Sequence, residues 1–237
     1  MKSSFNIFIF MAVLLGYCCM SMQAASILVP EQYPSIQLAL DSAESEDEVV
    51  VGPGTYLENI QWPSRDGIHL RAQMGPGSTI IDGNFEARVI TLSEGLTHQT
   101  IIEGFTIQNG RVGGYGGGIF VASTSPTIRN NRFVNCHAIT DDPLNDLSTR
   151  EPDSAGFINH QGGGAIFCRY SKAHIVTNWI ANCRGLVGGG IYNFASASVI
   201  QGNTFSGCWS QNGGGAIFSL YQPGGIILNN TLIANES

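Results

Sequence analysis

The chain has 237 residues, of which 43% are hydrophobic and 12% charged, with 30 glycines; that is enough for one domain with a sizeable core. The formal net charge is −7, and Lys172 is the sole lysine after Lys2. This balance excludes the Lys/Arg clusters that nucleic-acid phosphates demand and suits cations or neutral glycans at least as well as acidic polymers.

In chain order, Met1-Lys2 is a short basic start and Phe5 to Met20 is almost wholly apolar. Ala24, Ala25 and Ser26 follow, where a signal peptidase cuts. The run is short for a membrane span of roughly 20 residues, so residues 1–25 read as a signal peptide. Cys18 and Cys19 make no lipoprotein site, because Tyr17 stands where a small residue is wanted. The expected product is secreted or at the cell surface, with no membrane span after leader removal. Residues 26–48 read as an N-terminal strand and a capping helix: Ile36, Leu38, Ala39 and Leu40 have helical spacing behind Pro34-Ser35. Val49-Val50-Val51 then starts the next strand, and Gly52-Pro53-Gly54 turns it.

The rest, 49–237, is organised by a repeat. Ile128, Asn131, Phe133 and Cys136 recur as Ile175, Asn178, Ile180 and Cys183, then as Ile200, Asn203, Phe205 and Cys208, and last as Ile227, Asn230, Leu232 and Asn235. A looser copy holds Ile102, Phe105, Ile107 and Gly110. The leading isoleucines follow one another at 26, 47, 25 and 27 residues. A Gly-Gly-Gly/Ala-Ile-Phe/Tyr piece intervenes at Gly116–Phe120, Gly163–Phe167, Gly188–Tyr192 and Gly214–Phe218.

Short β-branched and aromatic pieces punctuated by Gly and Asn read as two or three strands per unit. Units of this length stack as coils of an all-β, right-handed parallel β-helix (a solenoid), capped by the short helix. Isoleucine then stacks on isoleucine inside, and asparagine sits at a sharp left-handed turn where stacked amides bond one another. Cys136, Cys183 and Cys208 occupy one position in successive coils. Buried reduced thiols are the favoured reading, with disulfides between adjacent coils as the competitor; Cys168 is the fourth cysteine beyond the leader. The final repeat stops at Asn235-Glu236-Ser237, which reads as part of a longer solenoid.

The 47-residue gap marks an acidic insertion, residues 138–160, in which Asp141, Asp142, Asp146, Glu151 and Asp153 gather between prolines. Calcium is the natural ion for such oxygen ligands, although no EF-hand spacing is present. His137 and His160 bracket the insertion.

The stretch Tyr33-Pro34-Ser35-Ile36-Gln37, followed by Val49 to Ile60 and Ile80-Ile81-Asp82-Gly83-Asn84, resembles the openings of the pectin lyase-like superfamily of right-handed β-helices. The Gly-Gly-Ala-Ile pieces resemble repeats of polymorphic outer-membrane adhesins, with Cys here where those repeats carry a closing Asn. The likeness covers nearly all of the chain beyond the leader and speaks for fold. Gly54, Tyr56 and Glu58 match the opening of pectin methylesterases, but the later catalytic motifs of those enzymes, of polygalacturonases and of alginate epimerases have no counterpart. The resemblance implies that the insertion projects beside the face where the superfamily's enzymes bind sugar chains.

Fold alone does not give function, and two classes stay open. One is a secreted or cell-surface β-helix that binds a polysaccharide or cell-surface glycan, or mediates surface contact, without catalysis. The alternative is a polysaccharide lyase or related carbohydrate-active enzyme, which needs a base and a cation; Arg169 and Lys172 are the basic candidates closest to the carboxylates. Along the Gly-Gly-Ile-Phe strands side chains alternate between faces. With the isoleucines inward, Phe120, Phe167, Tyr192 and Phe218 form an outward ladder on which sugar rings stack. The competing reading buries these rings as core.

Overall fold

The computed structural model describes residues 24–139, 161–221 and 223–237. The signal-peptide reading and the cluster Asp141, Asp142, Asp146, Glu151 and Asp153, with its calcium expectation and His160, lie outside the described residues.

Every strand pair is parallel, and each of the six coils from Glu48 to Leu220 contributes one strand to each of three long sheets. The first sheet runs through Ser26–Val29, Glu48–Val51, His69–Ala72, Ile101–Glu103, Thr127–Arg129, His174–Val176, Val199–Gln201 and Ile226–Leu228. The second runs from Gly54–Leu57 to Thr231–Ile233, and the third from Ile60–Gln61 to Ile217–Leu220. A short fourth sheet, His137–Ala138, Arg184–Gly185 and Trp209–Ser210, fills the corner between the second and the third. The chain is therefore a parallel β-helix. Its coils continue into the amino-terminal third, where no Asn or Gly-Gly-Ile repeat announced them. His137–Ala138 belongs to a coil, so the regular path persists one residue into the segment read as insertion.

The register explains the repeat. Ile27, Val49, Leu70, Ile102, Ile128, Ile175, Ile200 and Ile227 stand one above another in the first sheet. Ile81, Ile107, Phe133, Ile180, Phe205 and Leu232 do so in the second. Ile60, Ile90, Ile119, Ile166, Ile191 and Ile217 do so in the third. These rows converge on one continuous core. Burying each such side chain is worth about 1.5–3 kcal/mol. In the last coil Ile227 is 46% exposed where its row-mates Ile128, Ile175 and Ile200 are fully buried.

The helix Ile36–Ser42 buries Ile36, Ala39 and Leu40 against the first strands. Ser35 caps it, and the Glu58 carboxylate accepts from the backbone N–H groups of Ile36 and Gln37, both at 2.9 Å. Those are donors that the first turn cannot satisfy internally. Among the described residues, no helix is long and apolar enough to cross a membrane.

Between the first and second sheets the chain turns through an asparagine ladder. The Oδ1 atoms of Asn178, Asn203 and Asn230 each accept from the backbone N–H and the Nδ2 of the asparagine one coil before. Their Nδ2 atoms donate to Ile128, Ile175 and Ile200 carbonyls at 2.8–2.9 Å. The left-handed residue of this corner is the one before each ladder asparagine: Asn130, Thr177, Gly202 and Asn229 have φ between 54° and 65°. The expectation that the ladder asparagines themselves are left-handed is corrected; their role is hydrogen bonding.

Cys136, Cys168, Cys183 and Cys208 are free and buried. Burial pushes the Cys168 thiol up to about 12 and raises that of Cys183. Cys208 is lowered by a hydrogen bond from Cys183. Protonated, buried thiols behave as small apolar fillers.

Candidate functional site

Alternation along the third-sheet strands sends isoleucine inward and the next residue outward, as expected. Phe120, Phe167, Tyr192 and Phe218 stand in register on the outer face, with neighbouring ring centroids 5.5, 5.3 and 5.5 Å apart. The exposed platform anticipated there is corrected: Phe167 is 2% and Tyr192 1% exposed, and Phe120 and Phe218 are half-buried. The cause is packing from the preceding corner. Tyr115 stacks on Phe167 at 4.4 Å, and Val187 joins the rings in a second apolar cluster outside the coil. Large rings gain most from leaving water, and an open row of four does not stay uncovered. The Arg88 guanidinium lies 4.6 Å above Phe120, and burial lowers its pKa.

Arg169 and Lys172 are both exposed and lie at the far corner of the third sheet. Arg169 reaches over Tyr170, 5.7 Å from the ring centroid, and no ion pair to a described carboxylate places it beside a candidate base. Among the described residues, no group of three or more His, Cys, Asp or Glu converges as a metal site. The outer face of the first sheet carries a linked set of ion pairs: Glu48 with Arg71, Glu103 with His69 at 3.2 Å and with Arg129 at 2.7 Å. Hydrogen bonding to Arg71 lowers the Glu48 carboxyl. With donors and acceptors already matched, that face is structural.

A groove with room for a ligand lies at the fourth sheet. Asn135, Asn182, Gly207 and Ala234, with φ of 52°, 53°, 61° and 47°, turn the chain sharply out of the second sheet. The next residue, Cys136, Cys183 or Cys208, points into the core, so the one after it must point out. That position holds Arg111, His137, Arg184, Trp209 and Glu236, paired coil to coil. Sharp turn and outward row enclose a cavity of about 680 Å³ lined by Phe85, Asn135, His137, Asn182, Arg184, Trp209 and Glu236. Its size falls in the range of ligand sites. It offers an indole face, a guanidinium, an imidazole, a carboxylate and two amides.

Of these groove residues, sequence reasoning had singled out only His137, as a neighbour of the insertion. The signal was nonetheless present for the outward row, because His137, Arg184, Trp209 and Glu236 each directly follow the closing Cys or Asn of a repeat. No family model, no curated protein and no solved structure matches this chain.

Proposed function

We propose that this protein is an exported, non-catalytic β-helix that binds a linear glycan, laid along the groove with successive sugar units against successive coils. The parallel β-helix architecture supports this reading, and so does the similarity of the opening motifs to those of the pectin lyase-like superfamily. The observation that carries the reading is the row His137, Arg184, Trp209 and Glu236, in register one residue per coil along a concave corner. Strand-to-strand spacing sets neighbouring coils about 4.8 Å apart, so the row presents a periodic array to a periodic polymer. Trp209 supplies an apolar face for a pyranose ring. Arg184, Asn135, Asn182 and Glu236 supply donors and acceptors for hydroxyl groups, the mixture of a few polar anchors and aromatic surface that small-ligand sites use.

The test is calorimetric titration of the purified chain with linear hexasaccharides, cellohexaose and hexagalacturonate among them, with product analysis of the same samples. Binding without new unsaturated or reducing ends, weakened about tenfold or about 1.4 kcal/mol by Trp209→Ala, is the expected result. Binding that Trp209→Ala leaves unchanged refutes the groove. New chain ends would replace the binding reading with the lyase reading.

A further inference from the structure

The corner that follows the third sheet, at the opposite end of its strands from the groove, turns through Ser123, Tyr170, Ala195 and Tyr221. All four are left-handed, with φ of 53°, 51°, 45° and 51°. Ser123 and Ala195 show that the turn closes on small residues. All four carry the strain of a Cβ in the left-handed region, and a side chain as bulky as tyrosine is the uncommon occupant there. Burial does not compensate for it: Tyr170 is 58% and Tyr221 65% exposed. Strained, exposed aromatic residues point to a use outside the fold.

The two rings share a neighbour. Phe194 lies between them in the stack, 6.2 Å from Tyr170 and 5.8 Å from Tyr221, edge-on to both. The tyrosines are two coils apart, on the order of 10 Å along the axis. Beside them stand Arg169, over the Tyr170 ring, and the exposed Lys172. From residue 161 onward the chain holds Arg169, Lys172 and Arg184 against a single carboxylate side chain, Glu236, although the whole carries −7. Glu236 lines the groove at the other corner.

We propose that Tyr170, Phe194 and Tyr221, with Arg169, form a second binding site, which takes an acidic linear glycan. Sugar faces stack on the two tyrosines, and a carboxylate or sulfate on the sugar meets Arg169. Spanning both rings requires a chain of linked units. A protein partner fits poorly: two tyrosines of 150–250 Å² each leave roughly 300 Å² exposed, against about 800 Å² per partner in a standard protein interface. This site does not depend on the groove.

The experiment uses the full chain carrying Trp209→Ala, which impairs the groove. It is titrated with a heparin-derived hexasaccharide, hexagalacturonate and neutral cellohexaose. At least one acidic probe binds and cellohexaose does not, and the two acidic arms separate sulfate from carboxylate. Tyr170→Asn with Tyr221→Asn weakens that binding tenfold or more. Arg169→Gln weakens it severalfold and flattens its dependence on salt. Asparagine accepts the left-handed backbone, so the double variant melts no lower than its parent. Loss of all acidic binding on Trp209→Ala alone would confine the ligand to the groove and overturn this site while leaving the groove standing. Unchanged affinity in the double variant, equal binding of cellohexaose, or a lowered melting temperature that marks the rings as structural would each overturn it too.

Discussion

Replacing Asn178 by alanine tests whether the asparagine ladder ties the coils together. Its side chain makes four hydrogen bonds: Oδ1 accepts from the Asn131 backbone N–H at 3.0 Å and from Asn131 Nδ2 at 3.3 Å. Nδ2 donates to the Ile128 carbonyl at 2.9 Å and to Asn203 Oδ1 at 3.0 Å. Asn131 Nδ2 keeps a second acceptor in the Ile102 carbonyl, and Asn203 Oδ1 keeps the Asn178 backbone N–H. The severe loss is therefore the Asn131 N–H, left buried without an acceptor. One orphaned buried donor costs about 1–3 kcal/mol, and the remaining lost bonds add about 1 kcal/mol each where no substitute exists. A destabilisation of about 2–4 kcal/mol follows, read from urea unfolding monitored by circular dichroism. Asn230→Ala is the control, because its corner is only part-buried and water replaces what is lost; about 1–2 kcal/mol is expected there. Equal effects at the two positions, or less than 1 kcal/mol at Asn178, would refute the ladder as a source of cohesion.

Gly164→Ala should prevent folding or lower the melting temperature severely, since a Cβ there would sit 2.3 Å from the Gly189 carbonyl oxygen and 2.5 Å from the Arg184 nitrogen. Gly77→Ala, with nothing within 4 Å of the new Cβ, should be near neutral, and similar melting curves for the two would contradict the corner packing. His174 stacks on His98 with centroids 3.9 Å apart, and burial followed by the His98 charge lowers its pKa. The unfolded chain, titrating near 6.5, then binds the proton more readily than the fold, so this contribution is fully present above about pH 6.5 and is lost as pH falls through the folded value. Melting temperatures from pH 7.5 down to pH 5 should decline less steeply in His174→Thr, the residue type its row-mate Thr127 carries; an unchanged slope would remove the histidine pair as the cause.

What was legible in the sequence is what packing makes repetitive. Ile128, Ile175 and Ile200 are alike because each fills the same narrow interior against the one before, and Asn131, Asn178 and Asn203 because each completes the hydrogen bonds of its neighbour. The early coils were read as part of the β-helix, but without their repeat units, because Val49 and Leu70 fill the same row with different shapes and no ladder asparagine follows them. The fate of Phe167 and Tyr192 was illegible for another reason. Alternation gives the face on which a ring lies, but cover comes from Tyr115 and Val187 at the preceding corner, and strand periodicity carries no information about corners. Tyr170 and Tyr221 were missed likewise, since left-handed backbone at a tyrosine leaves no trace in composition or spacing.

The same logic separates scaffold from site inside one repeat. A position that must pack against its own copy one coil away is driven toward one residue type, since a change of volume in a close-packed interior is felt by both neighbours. A position open to solvent on the outer wall carries no such constraint. At the step from Cys136 to His137, Cys183 to Arg184 and Cys208 to Trp209, the chain passes from the first kind to the second within one residue. The inward thiols are identical, while the outward residues run histidine, arginine, tryptophan and then Glu236. Free variation alone would favour small or polar residues on a solvated wall, not an indole held half-buried at the centre of a cavity between a guanidinium and a carboxylate. Divergence at an outward row, combined with enclosure and chemically convergent side chains, is what distinguishes the fourth-sheet corner from the ion-paired face of the first sheet, where every charge already has its counterpart in the neighbouring coil.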